Sequence, residues 1–153
     1  MMKYLPIGLN VSGKKILVVG AGKVALQKIK ILKNFDCRVT IVAPSVYNQV
    51  QIIADEVIIG AYQARFLNNI DLVYACTNNF VINKKIAKDA RKRKILVNVA
   101  DNSVLSDFIS PALYIDEPMI IAISSDARAP KASKNMRDKL KQVLRDDKVS
   151  RDK

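Results

Sequence analysis

Histidine is absent from this 153-residue chain. That removes the commonest metal ligand and the commonest general base, so any acid–base chemistry falls to carboxylates, Lys, Tyr or Cys. Cysteine is nearly absent too: Cys37 and Cys76 lie in separate predicted strands and form no C-x-x-C pair, which points to reduced core residues and away from a redox or metal motif. No apolar run approaches the roughly 20 residues that a membrane span needs. The opening "MMKYLPIGLN" has neither a long apolar core nor a small-residue cleavage site, so it is not read as a signal peptide. No repeat and no low-complexity segment is visible. These absences point to a soluble, cytoplasmic protein of one domain, or one domain with a small appendage.

Acidic residues are in short supply. Lys and Arg number 26 against 14 Asp and Glu, a net charge of +12. The excess is clustered: Lys84 to Lys94 holds seven basic residues against one Asp, and Lys131 to Lys153 nine against four acidic. Such clusters are either solvated surface or a means of attracting an anionic partner. No helix-turn-helix and no aromatic stacking pattern supports nucleic acid as that partner.

Half of the residues are hydrophobic, and their order is informative. In "KKILVVGAGKVALQK" (14–28) an apolar strand runs into a glycine turn and then into a helix carrying Ala25, Ile29 and Leu32 at helical spacing. Further strands are predicted at "CRVTIVAP" (37–44), "EVIIGAY" (56–62), "DLVYACT" (71–77) and "ILVNVAD" (95–101), with an ambiguous, short-helix segment at 45–54. "NFVINKKIAKDARKRK" (79–94) reads as an amphipathic helix with Ile82, Ile86 and Ala90 on one face. Strands apolar on both faces and alternating with helices define an α/β fold, a Rossmann-like parallel sheet covered on both sides.

After Asp101 the rhythm changes. "FISPALYIDEPMIIAISSD" (108–126) reads as two extended segments joined across Ile115-Asp116-Glu117-Pro118 without a helix, so they should pair antiparallel. Pro130 then opens a last helix. A strand pair plus one helix is too small for its own core. The sequence thus divides into a dinucleotide-binding domain over 1–105 and a small strand-pair-plus-helix region over 106–153.

The turn G-A-G-K-V-A fits G-x-G-x-x-G/A, with Gly20, Gly22 and Ala25 in the three special positions. Gly20 permits the tight turn, Gly22 lets backbone approach a pyrophosphate, and Ala25 lets the helix sit close to the strand. The acidic residue that normally binds the adenine ribose about 20 positions on is missing; strand two ends Val42-Ala43-Pro44-Ser45, leaving the Ser45 hydroxyl or nearby backbone for that task. No Lys or Arg occurs from 39 to 64 to hold a 2′-phosphate, which favours NAD over NADP. Asp101 lies just past the fifth strand, at the sheet's carboxyl edge. It is either an Asx-turn residue of Asp-Asn-Ser or a proton acceptor. Asp71 and Asp107 are weaker candidates, and Asp71 fits a turn cap better.

The ordered set "LPIGLNVSGKKILVVGAGKVALQKIKILK", "VTIVAP", "LVYACTNNFVINKKIAKDA", "ILVNVAD" and "DFISPA…MIIAISS" resembles the precorrin-2 dehydrogenase family, also met as the N-terminal module of siroheme synthase. The resemblance covers about Leu5 to Leu144. It implies NAD-dependent oxidation of precorrin-2 to sirohydrochlorin on the way to siroheme, and a homodimer built through the strand pair. Some family members also insert iron, so the resemblance leaves that step to this chain or to a separate chelatase. It places the cofactor turn on Gly20, Gly22, Lys23 and Val24, a further contact on Pro44 and Ser45, and the nicotinamide half near Thr77 and Asn78. It gives the catalytic role to Asp101 and puts Ser124 and Ser125 in a loop beside the anionic tetrapyrrole. Where the family commonly reads Gly-Gly in that loop, this chain has Asp126-Ala127. The competing reading is a non-catalytic NAD-binding sensor or regulatory domain.

Overall fold

The structure, a computed structural model, describes residues 1–151, with side chains described as far as residue 145. The chain forms two compact units. One runs from Gly8 to Phe108; the other joins Met1–Ile7 to the segment from Ile109 onward.

The first unit holds β1 (Lys14–Val19), α1 (Lys23–Leu32), β2 (Cys37–Ala43), α2 (Asn48–Ile53), β3 (Glu56–Ile59), β4 (Leu72–Ala75), α3 (Phe80–Lys92) and β5 (Leu96–Val99). Its five strands lie in the order β3-β2-β1-β4-β5. Every pairing is parallel, and the register aligns Val19 with Val42 on one side and with Ala75 on the other. This is the Rossmann-like arrangement.

Alternation along the strands feeds two cores. Ile16, Val18, Val39 and Ile41 face the stripe Ala25-Ile29-Leu32 of α1 and Val50 of α2. Leu17, Val19, Val42, Val73 and Val97 face Ile86, Ala87 and Ala90 of α3. The central strand β1 is closed to solvent on both faces from Ile16 to Val19. Each such branched side chain contributes roughly 1.5–3 kcal/mol by burial. On α3, the Asn79 side chain caps the N-terminus by accepting from the Ile82 amide at 3.1 Å, and Arg91 and Lys92 complement the dipole in the last turn.

Several expectations shift in detail. The third strand stops at Ile59, short of residue 62, and the chain then enters a short 3-10 turn, Ala64–Leu67. The segment 45–54 does contain a short helix. Phe108 is not in a strand: it packs edge-on against Tyr74, ring centroids 5.4 Å apart at 86°, and belongs to the first unit's core. Ile82 was expected on the apolar stripe but is exposed, and Asn83 takes the buried place.

In the second unit, β6 (Ala112–Asp116) and β7 (Met119–Ile123) pair antiparallel, followed by α4 (Pro130–Arg151). Among the described residues no helix is long and apolar enough to cross a membrane.

Candidate functional site

The glycine turn is built by packing, not by loop flexibility. Gly20 has φ +104 and donates its N–H to the Val42 carbonyl at 2.9 Å. The chain leaving β4 crosses directly over it: a Cβ on Gly20 would lie 2.4 Å from the Cys76 carbonyl oxygen and 3.0 Å from the Thr77 nitrogen. Gly22 is different. It is the N-cap of α1, with φ -85 and ψ -169, and a Cβ there would meet nothing within 4 Å. No side chain caps α1 and no acidic residue occupies its first turn. The helix therefore presents uncapped N–H groups and an unneutralised positive end to the space in front of Gly22.

That space is a cleft of about 770 Å³ at the carboxyl ends of β1, β2 and β4, where the strand order reverses between β1 and β4. Gly20, Gly22, Lys23 and Val24 form its floor, Pro44 and Ser45 its wall after β2, and Thr77 and Asn78 its wall after β4. Lys23 is the charged residue of the lining. Ala25 is not in the lining; fully buried, it lets α1 approach β1. Tyr62 also lines the cleft, its hydroxyl 3.4 Å from Asp89; burial first, then the Asp89 charge, push its phenol up, so it stays neutral.

Asn83 of α3, which pattern reading missed, holds the cleft residue Thr77. It is 1% exposed. Its amide nitrogen donates to the Thr77 carbonyl at 2.9 Å, and its amide oxygen accepts from the Thr77 hydroxyl at 2.6 Å and the Thr77 amide at 3.3 Å. Its signal was present: Asn83, Ile86, Ala87 and Ala90 share the buried face of α3 at i, i+3, i+4, i+7, and a polar residue in that stripe needs a partner.

Asp101 stands in the turn after β5, exposed and outside the cleft lining. The Asx turn is closed by its neighbour: the Asn102 side chain accepts from the amides of Val104 at 3.0 Å and Leu105 at 3.1 Å. Burial pushes the Cys76 thiol up to about 12, with Lys28 opposing and the Asp101 charge adding to the rise. Asp71 and Asp107 are structural: Asp71 accepts from the Lys15 amide at 2.9 Å, and Asp107 from the Val97 amide at 3.1 Å.

Ser124 and Ser125 lie in the second unit, where their hydroxyls shape their own loop. The Ser124 hydroxyl accepts from the Asp126 amide at 3.3 Å, and that of Ser125 from the Ala129 amide at 3.0 Å. Asp126 and Ala127 take φ 56 and φ 62, the left-handed conformation that glycine adopts most easily. Asp126 is held there by its carboxylate, which accepts from the amides of Lys3 and Tyr4, each at 2.9 Å, and pairs with Arg128 at 3.2 Å. The Lys3 amide foremost, with that of Tyr4 and the Arg128 charge, holds this carboxyl below its ordinary range.

A parallel sheet with a glycine turn, a bare helix N-terminus and a void where a Cβ would stand defines a dinucleotide-binding protein; the cradle fits a pyrophosphate. Residues 7–112 match the family described as "Putative NAD(P)-binding", and the chain belongs to that family. It is 35% identical over 147 residues to the siroheme synthase of Buchnera aphidicola subsp. Acyrthosiphon pisum, covering 94% of this chain and 31% of that protein. With the siroheme synthase of Nitrosococcus oceani the identity is 36% over 147 residues, with the same 94% and 31% coverage. The chain thus spans less than a third of the length of these curated relatives. Among solved structures, "SirC, precorrin-2 dehydrogenase" superposes with a TM-score of 0.75 at 25% identity, over 91% of this chain and 70% of that one. The D-lactate dehydrogenase of Escherichia coli shares the fold at a TM-score of 0.52 and 17% identity, over 65% of this chain and 32% of that one.

Proposed function

We propose that the chain oxidises precorrin-2 to sirohydrochlorin with NAD, as a dehydrogenase of siroheme biosynthesis. The names of its siroheme synthase relatives and of the precorrin-2 dehydrogenase neighbour support the substrate. Gly22 and the N-terminus of α1 would hold the pyrophosphate, Pro44 and Ser45 the adenosine end, and Thr77 and Asn78 the nicotinamide end. The region after β2 offers a hydroxyl and no cation, which favours NAD over NADP. Bound NAD supplies a hydride acceptor.

One observation carries the catalytic reading. Asn102, not Asp101, closes the turn after β5, which leaves the Asp101 carboxylate outside the turn's hydrogen bonds, at the same sheet edge as the cleft. Oxidation removes a hydride and a proton from the macrocycle, and Asp101 is the group that takes the proton. The excess of basic residues favours approach of a polycarboxylate substrate. Ser124 and Ser125 would act on the tetrapyrrole through the loop they shape, and β6 and β7 would pair two subunits into a homodimer.

Mixing the protein with NAD and precorrin-2 and following NADH absorbance tests this reading. Turnover should appear in the wild type and fall by roughly 10²-fold or more in Asp101→Asn, with NAD affinity unchanged. NAD binding without turnover in the wild type would instead identify a sensor. An active Asp101→Asn would remove the proton-accepting role.

A further inference from the structure

We infer that Asn83 is the positioning residue that fixes the nicotinamide-side wall of the cleft, and that affinity for the nicotinamide half of the cofactor depends on it. This rests on the cleft holding a nicotinamide dinucleotide, as proposed above.

One amide engages every polar group of one residue. Asn83 takes the N–H, the hydroxyl and the carbonyl of Thr77 at 3.3, 2.6 and 2.9 Å. The amide's orientation is set by this chemistry, because a carbonyl can accept only from the NH₂ side. Flipping it would set oxygen against oxygen and N–H against N–H. The Thr77 hydroxyl is further committed, accepting from the Asn79 amide at 3.2 Å. It therefore has little left to offer a ligand.

Thr77 in turn is pressed on the glycine turn, as the 3.0 Å from its nitrogen to a Cβ built on Gly20 shows. Asn83 thus ties α3 to the chain leaving β4. Asn78, next in sequence, lines the cleft with no hydrogen bond to its side chain among the described residues. Its amide is the group left facing a ligand, and its place depends on the backbone that Asn83 grips. The Asn83 side of the grip is buried and Thr77 is half-buried, so water reaches these bonds from the cleft alone.

The adenosine side is built from other elements, Pro44 and Ser45 after β2, which Asn83 does not touch. Loss of the Asn83 amide should therefore act on one half of the cofactor only. Calorimetric titration of the full chain with NAD and, separately, with ADP-ribose reads the two halves. In Asn83→Ala, NAD should bind about tenfold or more weakly, while ADP-ribose stays within about twofold of wild type. Thr77→Val keeps the backbone bonds and loses only the hydroxyl; it should show the same selective loss at about threefold. If Asn83→Ala does not fold, Asn83→Asp, which keeps the shape and loses the N–H that the Thr77 carbonyl accepts, is titrated in its place and should show the same selective loss.

Equal losses for both ligands would reduce Asn83 to a general structural residue, and unchanged affinities would remove it from the site. A wild type that gains nothing from NAD over ADP-ribose would also overturn the inference. Because no tetrapyrrole is used, absence of precorrin-2 turnover would sink the dehydrogenase reading while leaving this result standing.

Discussion

The two glycines of the turn should fail in opposite ways when each gains one methyl group. At Gly20 an Ala side chain must adopt φ +104 and place its Cβ 2.4 Å from the Cys76 carbonyl oxygen, a backbone atom that cannot rotate aside. The dihedral costs about 1–3 kcal/mol and the forced shift of the β4 exit about 1–3 kcal/mol. Stiffening of the unfolded chain returns only about 0.4–1 kcal/mol. A net loss of about 1–6 kcal/mol, near 3 at the middle of these ranges, should lower Tm by on the order of 10 °C. At Gly22 the dihedrals are open to any residue and the new Cβ meets nothing within 4 Å, so stability should move by less than about 1 kcal/mol. There the methyl group occupies the approach of the pyrophosphate, and cofactor affinity should fall by about tenfold or more, about 1.4 kcal/mol. Thermal denaturation without ligand, paired with calorimetric titration of NAD, separates the two. Equal Tm losses in both variants, or a Gly20→Ala protein as stable as wild type, would refute this account of the turn.

Three further outcomes follow from the same structure. Titration with both dinucleotides should show tighter binding of NAD than of NADP, since the residues after β2 carry no cation; the reverse order would overturn that preference. Light scattering at micromolar concentration should show a dimer, because Met119 and Ile120 of β7 are 61% and 51% exposed in the single chain; a monomer alone would count against it. Ala127→Gly should raise stability by about 1 kcal/mol, read by chemical denaturation, because glycine relieves the cost of φ 62. A decrease would mean that the Ala127 methyl group makes a contact outweighing its strain.

The sheet was legible because its strands are apolar on both faces and because the glycine turn sits between a strand and a helix; no other arrangement buries both sets of side chains. The strand pair was legible from the missing helix between its two apolar runs. Phe108 was misplaced because an apolar residue next to a strand reads like part of it. Only the sheet's geometry shows that its ring completes the packing of Tyr74. Ile82 and Asn83 exchanged places for a related reason: an apolar stripe drawn by hydrophobicity alone prefers isoleucine to asparagine, whereas the fold needs an amide beneath Thr77. The Asx turn read as one role for Asp101 falls on Asn102 instead, since both side chains can accept from amides two or three residues on. No sequence rule reveals that Asp126 could replace a glycine, because its partners, Lys3 and Tyr4, are 123 and 122 residues away.

That separation bears on how the molecule is made. Residues 1–7 complete their unit only with residues from 109 onward, so the unit cannot close until those residues have left the ribosome. Residues 8–108 carry every strand of the parallel sheet and can collapse first, as domains do during synthesis. The segment of residues 1–7 must meanwhile wait without the carboxylate that holds its amides. Asp126 then acts as the latch that ends this wait, and a lesion at Lys3 or Tyr4 will register at a loop more than 120 residues away.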